Sequence, residues 1–230
     1  MSQARFLRKL LQIDHDDVDL TELSNSTGLN STEIMAYLQE YRELDLVHVT
    51  GDQISMSPYQ KMQLAIYAMR HGLCIEDISE ALDWREFEDI ALTVLVHHGY
   101  SNVKHYRFKS QGRCHEIDVL GFKEPLVLAI ECKHWKRSWQ NTVTKHIVDK
   151  QRERGVALSH SWQGLSKQCY PPMIRSHKHL TILPIILTLH NTPLKCYKNV
   201  PIIPIFYFQN FLTTELYTQL SHLQTYDVCP

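Results

Sequence analysis

The sequence predicts an α/β protein with two domains, a mainly helical domain over residues 1–72 and a mixed domain over residues 73–230. Two observations support this division. Apolar residues recur at helical spacing through most of the first 72 residues. From residue 100 onward, apolar runs have the spacing of strands and are separated by a basic helical segment. A chain of 230 residues can hold one large or two modest domains.

Composition narrows the class of protein. Hydrophobic residues make up 43% and charged residues 21% of the chain, as in ordinary folded globular proteins. No apolar stretch reaches 18 residues, and the basic segment Met1–Leu10 lacks the apolar core of a signal peptide. We therefore expect a cytoplasmic protein without a membrane partner. The six cysteines form no Cys-x-x-Cys pair, which favours reduced thiols over disulfides or a zinc site.

The N-terminal domain has the pattern of a winged helix. Helical spacing predicts a helix over Arg5–Ile13, and two capping boxes mark the starts of two further helices. A short hairpin follows over residues 46–56, with its turn at Gly51-Asp52. The capping boxes pair Asp19 with Glu22 and Asn30 with Glu33.

The role of this predicted winged helix stays open. Its third helix exposes Ser31, Thr32 and Gln39, which could contact base edges, but few lysines or arginines to contact phosphate. The domain could therefore read DNA, or it could be an interaction or dimerisation module. We expect the protein to be a homodimer.

The mixed domain is predicted to contain an α-β-β-β-α-β core. A connecting helix over 59–71 and a short helix over 75–82 precede it, and Asp83 caps the first core helix, with Glu88 beside its apolar stripe. Pro184 and Pro204 indicate an edge or bulge in the last two strands. The predicted strands are Val103–Lys109, Cys114–Phe122, Leu126–Lys133, Leu180–Leu189 and Pro201–Phe208, with helices over Asn141–Arg154 and Phe211–Leu223.

The candidate catalytic residues lie on the second and third of these strands. Period-two alternation places Glu131 and Lys133 on one strand face, and closing the hairpin brings Asp118 beside Glu131. Two carboxylates and a lysine at one strand end suit a divalent metal ion with a water nucleophile. Glu116, two residues before Asp118, is a reserve carboxylate. A surface salt-bridge cluster would use the same residue types.

Several motifs in order resemble the PD-(D/E)XK nuclease superfamily. They are Phe87-Glu88 in a helix, Gly99-Tyr100, Asp118, and Glu131-Cys132-Lys133 thirteen residues after that aspartate. The most similar branch comprises the Mrr-type restriction endonucleases and archaeal Holliday-junction resolvases. The resemblance covers roughly residues 84 to 155. The chain departs from the superfamily pattern by lacking the proline before the first aspartate.

The resemblance implies a restriction-endonuclease-like fold and a Mg²⁺- or Mn²⁺-dependent endodeoxyribonuclease. Asp118 and Glu131 would bind the metal together with the Cys132 carbonyl, and Glu88 would join the metal site. Lys133 would orient the nucleophile or stabilise charge.

Basic residues flank this site. Residues 100–113 carry four bases and no acid, and residues 132–154 carry seven bases against two acids. Such placement favours contact with DNA phosphates, although most charge runs are solvated faces. The candidate DNA-binding residues are Lys104, Arg107, Lys109, Arg113, Lys136 and Arg137.

Two other classes of function remain possible. The chain could be a non-catalytic DNA-binding regulator that uses its winged helix, or an inactive nuclease fold retained as a scaffold. A regulator would not require acid, acid and lysine at one strand end. Decay of an enzyme would be expected to remove one of those residue types.

Overall fold

A computed structural model describes residues 2–13, 18–74, 77–78, 81, 84–133, 141–165, 179–189 and 191–228. The described chain divides into two compact units, residues 1–86 and 87–230. The domain division predicted after residue 72 stays a prediction. Most of the short helix predicted over 75–82 lies outside the described residues.

The N-terminal unit combines helices with a small antiparallel sheet, in which the second strand of the hairpin pairs both with the first and with a short strand at Val18–Asp19. Its second helix begins at Leu20, one residue after the predicted start. The described elements include the predicted helix, helix, helix and hairpin in that order, and the short strand between the first two helices was not predicted. The winged-helix assignment stays a prediction. The elements are α1 (Ser2–Leu11), β1 (Val18–Asp19), α2 (Leu20–Thr27), α3 (Ser31–Glu43), β2 (His48–Thr50), β3 (Gln53–Ser55) and α4 (Pro58–Arg70).

Capping boxes fix the starts of two of these helices. The Glu33 amide donates to Asn30 Oδ1 and the Asn30 amide to Glu33 Oε2, both at 3.0 Å, as predicted. Ser57 and Gln60 form a second box at the start of α4, ahead of Pro58. Each box satisfies helix N–H groups that have no partner within the helix.

The C-terminal unit is a mixed sheet with helices, compatible with the restriction-endonuclease-like fold. The elements are α5 (Trp84–His97), β4 (Ser101–Ser110), β5 (Arg113–Lys123), β6 (Leu126–Lys133), α6 (Asn141–Leu165), β7 (Leu180–Thr188), β8 (Cys196–Tyr197), β9 (Val200–Pro204), α7 (Ile205–Asn210), a π-helical turn (Phe211–Glu215), α8 (Leu216–Gln219), a 3₁₀ turn (Leu220–His222) and β10 (Tyr226–Val228). The strand order is β4-β5-β6-β7-β9-β8, and β10 pairs with β7. β6, β7 and β9 are parallel, and α6 makes the crossover from β6 to β7.

The crossover helix is longer than predicted. α6 continues to Leu165 instead of ending at Arg154. Leu158 and Trp162 are buried one helical turn apart and pack with strand residues in the main core. The polar Gln151 and the small Gly155, at buried positions earlier in the helix, interrupt the apolar stripe that would have predicted this extension.

The prediction of a strand over Pro201–Phe208 is partly wrong. β9 ends at Pro204, and Ile205–Asn210 forms α7. Ile205, Phe206 and Phe208 are buried in the helix as they would be in a strand, and a short apolar run does not distinguish these cases.

Pro184 lies in a central strand, not at an edge. β6 pairs with β7 along its whole length, whereas on the other side β10 pairs with residues 180–182 and β9 with residues 186–188. The Thr181 amide donates to the Pro125 carbonyl, next to β6. Because backbone N–H groups alternate in direction along a strand, the backbone nitrogen of residue 184 points away from β6. Proline therefore lies in the gap between the two short pairings, where its missing N–H leaves no ladder bond unmade.

The strand that carries Glu131 is buried on both faces. Residues 126–130 are all buried, and Val127 and Ala129 belong to the core under α6. Period-two alternation by itself predicts a single core face, opposite Glu131 and Lys133, made by Leu126, Leu128, Ile130 and Cys132. Cover on both sides suits a continuous apolar strand in the middle of a sheet. No helix in the described part of the chain is long and apolar enough to cross a membrane.

Candidate active site

Two adjacent strands place Asp118 beside Glu131. β5 and β6 pair antiparallel up to Val119 and Ile130, and the two acids occupy the next position along the strands. The Cys132 amide donates a 2.8 Å hydrogen bond to Asp118 Oδ2. This bond fixes the Asp118 carboxylate across the strand pair that the sequence predicted.

Glu131 is buried between two basic residues. Its side chain is 5% exposed; Lys133 Nζ lies 2.5 Å from Oε1, and Arg154 Nη1 contacts Oε2. Arg154 comes from α6, where its guanidinium also lies 3.4 Å from Gln151 Oε1. Sequence reasoning did not select Arg154. Its one signal was its position in the basic segment 132–154.

Negative charge is concentrated around Asp118. The pKa of Asp118 is raised to about 6, mainly by burial and then by the charges of Glu131 and Glu88, against the opposing Cys132 amide and Lys133. An ionised Asp118 is therefore unfavourable in the protein by itself. A bound cation would stabilise it.

Glu88 projects from α5 into the same group of charges. Its side chain is 7% exposed, with Lys104 Nζ at 3.2 Å and His105 Nε2 at 3.3 Å from Oε2. Among the described residues this buried oxygen accepts no hydrogen bond of good geometry, so Lys104 contacts it as an ion pair and His105 only through the proximity of a ring nitrogen. The structure thus brings together Glu88, Asp118, Glu131 and Lys133.

Lys104, a predicted DNA contact, is engaged within the protein. Its amine also binds Asp89 Oδ1 at 2.8 Å. Burial lowers the pKa of Lys104, but Asp89 and Glu88 outweigh burial and raise it. Its position therefore suits neutralising the α5 carboxylates more than reaching toward a phosphate.

His105 is a site residue that sequence reasoning missed. Its φ of 51° is in the left-handed region, and the pairs on either side of it place it opposite Asp118. Its ring nitrogens lie 3.3 Å from Glu88 and 3.4 Å from Glu116. A non-glycine residue with positive φ inside a strand is unusual and strained. Nothing in the sequence distinguishes this histidine from the other thirteen.

The remaining predicted contacts lie farther along the hairpin of β4 and β5. Arg107, Lys109 and Arg113 are exposed. Arg107 Nε also binds Glu116 Oε2 at 2.8 Å, and this hydrogen bond lowers the pKa of Glu116. Lys136 and Arg137 lie outside the described residues.

The donor atoms fit a hard divalent cation by type. Glu88, Asp118 and Glu131 supply carboxylate oxygens, which Mg²⁺ and Mn²⁺ prefer. As they stand, no three or more His, Cys, Asp and Glu side chains of the described residues are arranged to hold a metal ion. Lys133 and Arg154 contact the Glu131 oxygens, and Lys104 contacts Glu88. Binding of a cation would require these contacts to rearrange.

Cys132 does not act as a thiolate. Burial raises the pKa of its thiol, and the charges of Asp118, Glu88 and Glu131 raise it further. The thiol therefore stays protonated, which excludes it as an activated nucleophile. The predicted metal contact through its carbonyl stays a prediction.

Comparison with known proteins places this site inside a family match. A family model described as a restriction endonuclease, the Mrr catalytic domain, matches residues 79–161. A search of curated proteins gives no match. Among solved structures, protein VC1899 from Vibrio cholerae aligns with 95% of this chain and 50% of its own, at 11% identity and a TM-score of 0.33. The chain thus spans about half the length of that protein, and a likeness this weak carries no argument.

Proposed function

We propose, from the Mrr-type restriction endonuclease domain at residues 79–161, that this protein is a metal-dependent endodeoxyribonuclease. One observation carries the proposal. Asp118, Glu131 and Lys133 converge from two adjacent strands within the matched segment. This arrangement supports hydrolysis of phosphodiester bonds in DNA.

Asp118, Glu131 and Glu88 would hold the Mg²⁺ or Mn²⁺ ion, with the Cys132 carbonyl as a further ligand. When bound, the ion would polarise the phosphate and lower the pKa of a water molecule. The raised pKa of Asp118 supports this role, because neighbouring negative charge and burial create a demand for a cation.

The basic residues act on the carboxylates and on the reacting groups. Lys133 Nζ, 2.5 Å from Glu131, is positioned to hold the attacking water or to stabilise charge on the phosphate. Arg154 orients the second oxygen of Glu131 from α6. Lys104 and His105 hold Glu88 in the same way from β4.

One observation favours an alternative, an inactive nuclease fold serving as a scaffold. Both oxygens of Glu131 are already engaged by Lys133 and Arg154, as in a structural salt-bridge cluster. In an active nuclease, the contacts of Lys133 and Arg154 with Glu131 would have to give way when the metal ion binds. DNA as partner, a homodimer, a cytoplasmic location and DNA reading by residues 1–72 remain predictions.

Cleavage of supercoiled plasmid by the full chain tests the proposal. With Mg²⁺ or Mn²⁺ the wild type should produce nicked and linear DNA, whereas Glu131→Gln and Lys133→Met should produce none above background. Asp227→Asn, an amide substitution on β10, is the matched control and should cleave normally. Calorimetric titration with Mn²⁺ should show weaker binding in Glu131→Gln and retained binding in Lys133→Met. Full cleavage by Glu131→Gln would refute the assignment.

A further inference from the structure

A polar cavity lies in the C-terminal unit, apart from the candidate active site. It has a volume of about 760 Å³ and lies between the β4–β5 turn, α6, the β8–β9 turn and β10. This volume is within the range of ~300–1,000 Å³ typical of small-ligand sites. Its lining residues include none of the acids or bases described above around Asp118 and Glu131. We call it the Arg152 cavity, lined chiefly by Arg113, His115, Asp149, Arg152, Lys198 and Tyr226.

The Arg152 cavity contains two buried hydrogen-bond donors that lack acceptors. Arg152 Nε and the Tyr226 hydroxyl are buried and meet no partner with full hydrogen-bond geometry in the described part of the chain. They lie close to each other, since burial raises the pKa of Tyr226 and the Arg152 guanidinium opposes that rise. A second guanidinium nitrogen of Arg152 lies 3.5 Å from Gln224 Oε1, at the limit of a hydrogen bond. Buried donors are normally paired, so these two are available to an acceptor that the described residues do not supply.

The Tyr226 ring is held in place by a glycine. A Cβ atom added at Gly155 on α6 would lie 2.6 Å from a ring carbon of Tyr226. The ring therefore packs directly on the helix backbone, which any larger residue would prevent. This packing positions the hydroxyl beside Arg152.

Two tight turns supply further positive charge. Gln111 and Gly112 have φ values of 49° and 77°, and Lys198 and Asn199 have values of 48° and 60°, as in type I′ hairpin turns. These turns place Arg113 and Lys198 at the cavity. Lys198 Nζ is paired with Asp149 at 2.7 Å. The lining bases Arg113 and Arg152 are then opposed by one further lining acid, Glu153.

We propose that the Arg152 cavity binds the phosphate group of a nucleotide, either free or within a DNA strand. Phosphate oxygens are acceptors suited to a guanidinium and a hydroxyl, and Arg113 adds charge at the entrance. Arg113 is five residues from Asp118 along β5, roughly 17 Å at about 3.3 Å per residue. In a DNA strand, with about 3.4 Å per nucleotide, this corresponds to about five nucleotides from the cleaved bond. The phosphate site itself requires no cleavage activity.

Calorimetric titration of the metal-free full chain tests this site. The probes are inorganic phosphate, deoxyadenosine monophosphate, deoxyadenosine without phosphate, and a single-stranded hexanucleotide. Phosphate-bearing probes should bind and deoxyadenosine should not. Arg152→Gln should weaken binding at least tenfold, and Tyr226→Phe, which keeps the ring over Gly155, several-fold. Arg70→Gln, an equal charge change on an exposed arginine of α4 outside the cavity, should leave binding of the mononucleotide unchanged.

The results separate the two sources of phosphate. Binding of the mononucleotide and displacement of it by the hexanucleotide would indicate one site that accepts both. Binding of the hexanucleotide alone, weakened by Arg152→Gln, would indicate a DNA strand. No binding of any phosphate-bearing probe, or equal losses in Arg152→Gln and Arg70→Gln with unchanged melting temperatures, would overturn the inference. Phosphate binding without plasmid cleavage would overturn only the proposed function.

Discussion

In the candidate active site, Glu131 lies between Lys133 and Arg154, and Glu88 lies beside Lys104 and His105. In the Arg152 cavity, by contrast, Arg152 Nε and the Tyr226 hydroxyl have no acceptor among the described residues. The first cluster matches its acids with its own bases, so it can fold without a metal ion. The second leaves donors to which the described residues offer no acceptor, and an anion could supply one. The difference separates a site that must exchange internal partners from one that can accept a ligand directly.

The largest effect should come from removing the charge of Asp118. Asp118→Asn should lower the cleavage rate more than about 10³-fold, since it removes a metal ligand and with it several kcal/mol of transition-state stabilisation. Plasmid nicking rates measure this effect. Asp227→Asn again serves as the control. An Asp118→Asn protein that cleaves at the wild-type rate would show that the comparison assigns the wrong cluster to catalysis.

The same variant should be more stable than wild type without metal. The pKa of Asp118 is about 6 in the folded protein, above the ordinary value of 3.8, so ionisation destabilises the fold. That penalty is absent below the unfolded pKa and complete above the folded pKa. At about 1.4 kcal/mol per pKa unit, Asp118→Asn should gain about 3 kcal/mol at pH 7.5 and little at pH 3.5. Urea unfolding in EDTA at both pH values measures this, and a gain independent of pH would contradict it.

Replacing Arg154 measures how much this base stabilises the folded protein through its contact with the buried Glu131. Arg154→Met should lower the free energy of unfolding by about 2–3 kcal/mol, less than for an isolated buried pair because Lys133 still contacts Glu131. Adding Glu131→Gln should recover much of the loss. Urea unfolding of both single variants and the double variant gives the coupling between the two residues. Additive losses would show that Arg154 does not support Glu131.

Exposed basic residues should contribute more to the salt dependence of DNA binding than a lysine whose amine already contacts carboxylates. Arg107→Ala and Lys109→Ala should each reduce the salt slope of DNA affinity by about 0.9, if each neutralises one phosphate. Lys104→Met should leave the slope unchanged, because its amine already contacts Glu88 and Asp89. Titration of labelled duplex DNA at several salt concentrations measures the slopes. An equal reduction in all three variants would show that Lys104 leaves its carboxylates when DNA binds.

The smallest expected effect concerns the backbone of His105. At a φ of 51°, glycine avoids the strain that alanine retains, so His105→Gly should be more stable than His105→Ala by about 1 kcal/mol. Both variants lose the contacts to Glu88 and Glu116, so their difference isolates the backbone. Urea unfolding provides the measurement. Equal stabilities would mean that the strand relaxes when the ring is removed.

The sequence predicted the parts of this unit that depend on local pattern. Alternation and a short turn were sufficient to bring Asp118 beside Glu131, and helical spacing placed Glu88 next to the apolar stripe of α5. Arg154 depends on the register in which α6 packs on the sheet, which the pattern of α6 alone does not fix. The position of the His105 side chain depends on a positive φ within β4, which no residue of the sequence indicates. The helix at Ile205–Asn210 has the same buried apolar residues that a strand would have.

Pro184 also affects how well the polar groups of the protein interior are satisfied. The side of β7 away from β6 is shared by two short strands, which leaves a gap between residues 182 and 186. Position 184 is buried, so an N–H group in this gap would face neither of the short strands nor bulk water, at a cost of about 1–3 kcal/mol. Proline presents no such donor. A residue that the sequence marked as an interruption therefore spares the interior of the sheet a desolvation penalty.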